Sequence, residues 1–398
     1  LILPYRYSDR RTTPNEETIG ARLASLIQQE VLFSMLKYES IGATELVSYG
    51  GKLCDVNDVI RMVTDPDNQR SVPVGGGLAI IWGRIYEEGD SIFVQSYVRF
   101  VLVGVDNTIT VSLSTKDKPV ELRATLPSQG VAMAPRRMTT KDFREIEARS
   151  ARTLVLRDEP NEAVPSRTYP RGPHEPLTYW VVDHRGDWMR IKSQMTGEEG
   201  WVRARFDDEP WSLRRLLPEL AYLDGVIGYL RLETKVGSQL RNGIRLRTWM
   251  ETAFARYERE VGTDAAREAI ALSRVLLGKI VWSQSYRLAN PGAAKPGAEL
   301  FREAWTLIPE SSEARNLAAV TSQLLRTEYE LTRESIAAIN TGLLGAIAMD
   351  GRNLQALRNL ENLYRYAMTQ PELSTYTRPE LEQRLTLLKE AQAAALRR

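Results

Sequence analysis

The strings TLVLRDEP (residues 153–160), RGDWMRIK (185–192) and GEEGWVRA (197–204) are the most informative part of this sequence. Each is a short run rich in Leu, Val, Ile or Trp and is bordered by Gly, Asp or Pro, which is typical of strands joined by tight turns. Few helical signals lie between Arg152 and Phe206. The three strings therefore predict a small β domain near the middle of the chain.

In kind and order, these strings resemble those of the bacterial SH3-like domain. The matching positions are Leu154, Leu156, Arg157 and Pro160, then Gly186, Asp187, Trp188 and Ile191, then Gly200, Trp201 and Val202. The resemblance covers about a seventh of the chain and implies a small barrel over residues 151–208, of a type that usually binds a ligand and seldom catalyses a reaction.

Length and composition predict a soluble protein of several domains. The chain has 398 residues, of which 43% are hydrophobic and 26% charged, and this suits about three domains with separate cores. Because 53 Lys and Arg nearly balance 51 Asp and Glu, the chain lacks the positive field that nucleic-acid binding needs. We therefore expect no nucleic-acid partner.

The content of ligand-forming residues predicts neither a metal site nor a cofactor. One cysteine and two histidines cannot form an internal disulfide or a standard zinc site. No apolar run reaches the eighteen or so residues of a transmembrane helix, so we expect no membrane-spanning segment in this chain.

The numbered sequence begins at Leu1 rather than at methionine, which predicts that a targeting peptide or another leading segment has been removed. Together with the family resemblance of residues 1–125 given below, this favours a periplasmic or envelope-associated protein, and a cytoplasmic location stays open as the alternative.

The first 126 residues alternate helix and strand signals and predict an α/β sandwich with helices on one face. An amphipathic helix is expected from Thr18, and a second is expected after an N-cap at Asp55. Two β-rich runs flank the turn Glu87–Asp90 and predict a hairpin. Further strands are expected at Thr108–Leu113 and Pro119–Ala124.

Several strings of this region resemble the amino-terminal domain of the TolB translocation protein and related bacterial envelope proteins. They are LILPY at residues 1–5, IGARLASLIQQEVLF at 19–33, and AIIWGRI at 79–85 with its Trp82-Gly83 pair. The resemblance spans residues 1–125 and implies a place in the cell envelope. Residues 127–150 are expected to be a connector that ends in the charged helix TKDFREIEAR.

Residues 211–398 predict an all-α domain. Large apolar residues recur three and four positions apart, for example at Leu246 and Met250. The strings ELFREAWTLIPES (299–311) and AIAMDGRNLQALRNLENLY (346–364) resemble tetratricopeptide repeats in a degenerate form. The whole chain is therefore predicted to be a multidomain α+β protein: an α/β sandwich, an SH3-like barrel and a repeat-like helical domain.

No motif in the sequence predicts an enzyme. His174 and His184 lie in turn strings, where a surface residue is more common than a catalytic base. Cys54 precedes a helix, but an inert half-buried cysteine is the commoner case. Gly75–Gly77 lead into a strand, so no helix amino terminus follows to bind a phosphate.

Two sets of residues are candidates for binding a ligand or a partner. In the barrel these are Tyr169, Tyr179, Trp180 and Trp188, whose aromatic surfaces suit peptides or glycans, although Trp188 and Trp201 serve equally well as core residues. In the helical domain, a stacked array of repeat-like helices would present a concave face to an extended partner. The candidates on that face are Arg315, Asn316, Asn353 and Arg358, with Arg326 and Asn359 beside them. The alternative for this second set is the solvated faces of ordinary helices.

The sequence thus predicts a non-enzymatic adaptor or scaffold protein of a bacterial cell-envelope assembly that binds other proteins. One alternative is a peptidoglycan-binding envelope protein whose helical domain recruits an enzyme. Another alternative is a cytosolic regulatory subunit.

Overall fold

A computed structural model of the chain describes residues 1–7, 19, 20, 22–24, 26–28, 30, 31, 46, 47, 56–65, 67, 74–115, 118–127, 130–150, 154–169, 178–186, 188–193, 196–203, 213–234, 243–287, 291–325 and 331–397. The chain forms two compact units. The first contains Leu1–Val105 and Gly130–Ala266, and the second contains Asp106–Gln129 and Arg267–Arg398. Each unit is therefore built from two separate stretches of chain.

The strands are β1 (Arg6–Tyr7), β2 (Leu46–Val47), β3 (Gly76–Glu88), β4 (Ser91–Val103), β5 (Thr108–Thr115), β6 (Lys118–Thr125), β7 (Gly130–Ala132), β8 (Arg136–Met138), β9 (Leu154–Arg157), β10 (Ser166–Tyr169), β11 (Thr178–Arg185), β12 (Trp188–Ser193) and β13 (Glu199–Arg203). The helices are α1 (Val56–Thr64), α2 (Thr140–Ser150), α3 (Leu213–Leu216), α4 (Glu219–Glu233), α5 (Gly243–Val261), α6 (Arg267–Arg287), α7 (Lys295–Leu307), α8 (Ser312–Thr321), α9 (Arg333–Met349), α10 (Leu354–Thr369) and α11 (Arg378–Leu396). This composition confirms a multidomain α+β protein with sheets towards the amino terminus and helices towards the carboxyl terminus.

The first unit is organised around the long antiparallel hairpin of β3 and β4. Its strands pair from Gly76 with Val103 to Glu88 with Ser91, which confirms the predicted hairpin. Strand β1 adds in parallel beside β3, and both β7 and β8 pair with β4. The last two strands lie in the stretch that was predicted to be a connector, while the charged helix expected there is α2.

Helices cover both faces of this sheet, although the sequence predicts them on one face only. On one face, Val59 of α1 packs with Leu3, Ile80 and Val101 in a buried cluster. On the other face lies α4, whose Tyr229 makes an edge-to-face contact with Phe100 at 5.6 Å between ring centroids. The second helical layer comes from residues more than a hundred positions further along the chain.

The helix predicted from Thr18 is present at residues 19, 20, 22–24, 26–28, 30 and 31. Its apolar residues Leu23, Leu26, Ile27 and Val31 are buried, as their spacing predicts. The helix α1 likewise confirms the prediction of a second helix after Asp55, although Asp55 itself lies outside the described residues.

Five of the central strands form an antiparallel sheet with β2, in the order β10-β9-β13-β12-β11-β2. The three quoted strings correspond to β9, to β12 with the end of β11, and to β13, so the predicted strands are confirmed. Leu156, Met189, Ile191 and Trp201 are buried in this sheet. Strand β2 joins it through β11, whereas the sequence groups β2 with the first 126 residues.

The second unit combines the β5–β6 hairpin with the helices from α6 onward. The two strands confirm the predicted pair, and their apolar residues Ile109, Val111, Leu113, Val120, Leu122 and Ala124 are all buried. Strand β6 packs on α8 and α10. The predicted domain boundaries at 126, 150 and 208 stay a prediction, but the hairpin shows that residues near position 120 contact the helices near 320 and 360.

Candidate functional site

A pocket of about 460 Å³ lies in the second unit where α7 and α9 both pack against α8. Most of its wall is made of small or apolar side chains, and three larger polar or aromatic residues border it. The lining residues are Arg302 and Trp305 of α7, Arg315, Ala318, Ala319 and Ser322 at and after α8, Leu325, and Ala337, Ala338, Thr341 and Gly342 of α9. The volume is in the range of ligand pockets, which runs from about 300 to 1,000 Å³.

The guanidinium of Arg315 is held between two neighbouring groups. On one side it lies over the Trp305 ring, with its Cζ 5.5 Å from the ring centroid. On the other side it lies against Gly345 of α9, where a Cβ atom would come within 2.0 Å of the Arg315 Cζ. Only a glycine leaves room for the arginine in this position, so the local sequence of α9 determines where the positive charge sits.

Two of the nitrogens in this arrangement have no acceptor. The Nε of Arg315 and the Nε1 of Trp305 are shielded from solvent and donate no hydrogen bond within the described part of the chain. Leaving such a donor unpaired costs about 1–3 kcal/mol. The hydrogen-bonding capacity of this corner of the pocket is therefore only partly used.

The pocket carries a net positive charge. Arg302 is exposed at its border, and neither Arg302 nor Arg315 forms an ion pair with any carboxylate that the structure describes. The adjacent Glu303 is engaged elsewhere, since it forms an ion pair with Arg274 of α6, with 3.1 Å between Oε2 and Nε. An incoming acidic group would therefore meet no competing carboxylate from Glu303.

Two asparagines named as binding candidates in the helical domain, Asn316 and Asn359, take part in the hydrogen bonds that link this domain to the β5–β6 hairpin. Asn359 of α10 accepts from the backbone N–H of Arg123 at 2.8 Å, and its Nδ2 donates to the carbonyl oxygen of the same residue. That Nδ2 also donates to the Oδ1 of Asn316 at 3.0 Å. Both asparagines are about 2% exposed, so their polar groups are used within the chain.

Further contacts hold the hairpin along its length. Asn362 donates to the carbonyl oxygen of Glu121 at 3.1 Å, and the ammonium of Lys279 in α6 donates to the carbonyl oxygen of Thr108 at 3.0 Å. Most of these bonds are made to the main chain of the strands. The α6, α8 and α10 side of the unit thus already binds an extended segment.

The remaining predicted residues of this set are dispersed. Asn353 caps α10 by accepting from the N–H of Ala356 at 3.0 Å and donates to Ser312 Oγ at 2.8 Å. Arg358 is exposed on α10, away from the pocket lining. Arg326 lies outside the described residues. Of the predicted set, the structure brings Arg315 to the pocket and Asn316 to Asn359, which bonds to the hairpin. The proposed binding roles stay predictions.

The structure describes the side chains of only some aromatic residues that were candidates in the predicted SH3-like barrel. Tyr169 lies in β10 opposite Leu154, and Tyr179 and Trp180 lie in β11, but their side chains are outside the described part. Trp188 is half-buried at the start of β12. Trp201 is 5% exposed and packs beneath Arg185, whose Cζ lies 5.3 Å from its ring centroid, in agreement with a core role for that tryptophan.

The first unit contains a buried acid that the sequence did not single out. The carboxylate of Glu219, at the start of α4, accepts from Ser96 Oγ, which also shares a hydrogen bond of 2.9 Å with Tyr5. Burial raises the pKa of Glu219, while the Ser96 hydrogen bond and the charge of Arg136 oppose that shift. Burial, with the nearby Glu219 carboxylate, also raises the pKa of the Tyr5 hydroxyl above its ordinary range.

Metal-binding clusters and membrane-spanning helices are both absent from the part of the chain that the structure describes. No three or more His, Cys, Asp or Glu side chains come together in a way that would hold a metal ion. Within the same ranges, no helix has the length and apolar character needed to cross a membrane.

Sequence reasoning missed Arg302 and Trp305 as site residues. Their signal was present in the string ELFREAWTLIPES, because residues three positions apart lie on the same face of a helix. What the spacing does not reveal is that this face borders a pocket rather than solvent.

No family model matches the chain, and neither a curated protein nor a solved structure is significantly similar to it. The resemblances to the SH3-like domain, to TolB and to tetratricopeptide repeats therefore remain predictions.

Proposed function

We propose that this chain is a non-enzymatic adaptor of a bacterial cell-envelope assembly and that it acts by binding other proteins. The observation that carries the proposal is the pocket between α7 and α9, whose two arginines have no carboxylate partner within the described ranges. A cavity of this size with unpaired charge on its border favours a binding role.

The arrangement of the helical unit supports this proposal. The β5–β6 hairpin covers part of the α8 and α10 surface, whereas the pocket is bordered by α7 and α9. Helical arrays present long surfaces to extended partners, and an array of this kind needs no catalytic group to act. The pocket side is therefore the surface that we assign to a partner.

The envelope location rests on the sequence resemblances. Residues 1–125 resemble the TolB amino-terminal domain, and residues 152–206 resemble a bacterial SH3-like domain. Both kinds of domain act by recognising other molecules, which agrees with an adaptor.

The proposal is tested by purifying the tagged full-length protein from its native host after mild cross-linking and identifying the bound proteins by mass spectrometry. We expect a defined protein to be enriched over a tag-only control and to form a complex of fixed stoichiometry with the purified chain. Fractionation of the same cells should place the protein in the envelope.

Two results would contradict the proposal. One is the absence of any enriched protein. The other is sedimentation of the purified protein with isolated cell-wall sacculi that is lost in the double variant Tyr179→Ala, Trp180→Ala, because that result assigns the protein to peptidoglycan.

A further inference from the structure

The pocket between α7 and α9 combines a positive charge with an apolar cavity. The guanidinium of Arg315 lies over the Trp305 ring and against Gly345 of α9. An arginine guanidinium matches the geometry of carboxylates, whose two oxygens accept parallel hydrogen bonds.

The second arginine widens the positive region without filling the cavity. Arg302 is exposed on α7, one turn before Trp305. Its charge is not balanced by its neighbour Glu303, which pairs with Arg274. A ligand with one or two carboxylates therefore gains attraction from both arginines.

The cavity itself is apolar and open. Its floor and walls include Ala318, Ala319, Ala337 and Ala338, and these short side chains leave space that water or a ligand must fill. Burial of a ligand's apolar surface there contributes to the affinity. The cavity is therefore suited to the apolar side chain of a ligand.

The openness of the pocket favours a peptide over a small molecule. Arg302, Ala338 and Thr341 are all exposed, so the pocket is a groove between two helices rather than an enclosed chamber. Small ligands are usually buried over most of their surface, which this groove does not provide. A peptide segment can lie along the groove and place a single side chain in it.

We propose that the groove between α7 and α9 binds an acidic segment of a partner protein in which a carboxylate lies close to a large apolar side chain. The carboxylate accepts hydrogen bonds from Arg315 and Arg302, and the apolar side chain fills the space above the alanines. This inference rests on the proposed adaptor function and adds the chemistry of the partner.

The experiment starts with a phage-displayed library of random peptides selected on the immobilised full-length protein. We expect the selected peptides to contain Asp or Glu next to or one residue from Leu, Ile, Phe or Met. The best peptide is then synthesised with a fluorescent label, and its affinity is measured by fluorescence anisotropy.

Two kinds of variant test the site. The double variant Arg302→Gln, Arg315→Gln removes the charges, and Ala338→Leu fills the cavity from an exposed position. Each should weaken binding by about tenfold or more, because each removes one of the two main contacts. Arg315→Lys keeps the charge and should bind more tightly than the double variant.

Matched controls separate binding from folding. Arg352→Gln makes the same change of charge at an exposed position just before α10, and Ala348→Leu makes the same enlargement at an exposed position of α9 outside the pocket. Both should leave the affinity unchanged. Thermal unfolding of every variant shows whether a loss of binding reflects a loss of structure.

The inference is overturned if no peptide is enriched, if the enriched peptides are not acidic, or if the double variant and Ala338→Leu bind as tightly as the unaltered protein. A protein partner recovered from the host that still binds these variants would leave the adaptor function in place and reject this groove. Loss of binding in Arg352→Gln alone would place the site outside this groove.

Discussion

At the scale of single residues, two polar side chains of the second unit serve different ends. The side-chain amide of Asn359 bonds to the main chain of Arg123 through both its oxygen and its nitrogen. It therefore recognises an extended backbone and not the Arg123 side chain. Arg315 has the opposite character, because its guanidinium is positioned by neighbours but keeps an unused donor. The first residue stabilises the chain, and the second is the one that our proposal assigns to a ligand.

Glu219 makes stability depend on pH. Burial raises its pKa above the ordinary value of 4.5, so the folded protein keeps the proton over a range in which the unfolded chain releases it. The stabilising effect of this proton is complete below about pH 4.5 and is lost as the pH rises through the raised pKa of the folded state. Glu219→Gln stays neutral and can still accept from Ser96, so it removes this dependence.

We therefore expect Glu219→Gln to gain stability relative to the unaltered protein as the pH rises. The free energy of unfolding of the variant minus that of the unaltered protein should be larger at pH 7 than at pH 4. Urea unfolding at the two pH values measures the difference. Glu88→Gln, at the exposed end of β3, should show no such change. If the variant and the unaltered protein differ in free energy of unfolding by the same amount at both pH values, the Glu219 carboxyl does not cause the pH dependence of stability.

At the scale of secondary-structure elements, several helix starts are encoded by local caps. Ser311 caps α8 through the N–H of Ala314, and Thr332 and Ser335 form a reciprocal capping box at α9. Such caps each contribute about 1 kcal/mol, and they depend on residues only three positions apart. Element boundaries in this part of the chain are therefore set by neighbouring residues.

The docking of β1 depends on one glycine in the neighbouring strand. A Cβ atom on Gly83 of β3 would lie 2.1 Å from Cε1 of the buried Tyr5 and 2.6 Å from the carbonyl oxygen of Gln95. The carbonyl belongs to the paired strand and cannot move aside freely. The lack of space for a Cβ atom therefore explains why glycine occupies the second position of the Trp82-Gly83 pair.

Gly83→Ala should lower the free energy of unfolding by about 1–3 kcal/mol or more, as overpacking of a core does. The urea midpoint gives the loss, and hydrogen exchange should show faster exchange at Tyr5 and in β1. The matched change Gly130→Ala should cost little, since its Cβ would approach only the flexible side chain of Arg99, at 3.3 Å. Equal midpoints for the two variants would refute the steric explanation.

At the scale of the whole molecule, the second unit is completed by a distant hairpin. Strands β5 and β6 pack on helices of this unit through one apolar face. Strand alternation explains why that face is apolar, since every second residue points to the same side. The hairpin is therefore part of the core of the helical unit.

Leu122→Ala should destabilise the second unit by about 2–5 kcal/mol, because Leu122 is fully buried and its loss leaves a cavity. Hydrogen exchange should become faster in α8 and α10, which lie about two hundred residues further along the chain. Ser112→Ala, on the exposed side of β5, is the control and should change neither exchange nor stability. Unchanged exchange in both helices after Leu122→Ala would mean that the hairpin does not support them.

Sequence patterns predicted much of the local structure and little of how the elements combine. The alternation around Glu87–Asp90 predicted the β3–β4 hairpin, and the helical spacing of Leu246 and Met250 predicted α5. For the candidate site, Arg315 was identified by residue type, but Trp305 and Gly345 were not. No local pattern links these residues, because they come from three different helices.

The sequence by itself determined the α+β character of the chain, the positions of the main helices and strands, and the near balance of positive and negative charge. These properties depend on composition and on contacts between near neighbours. Only the tertiary structure decided that β5 and β6 pack on α8 and α10, that α4 covers the first sheet, and that Arg302 and Arg315 border one pocket. Such contacts join residues far apart in the chain, and their selection depends on the burial of whole faces, which no short stretch of sequence specifies.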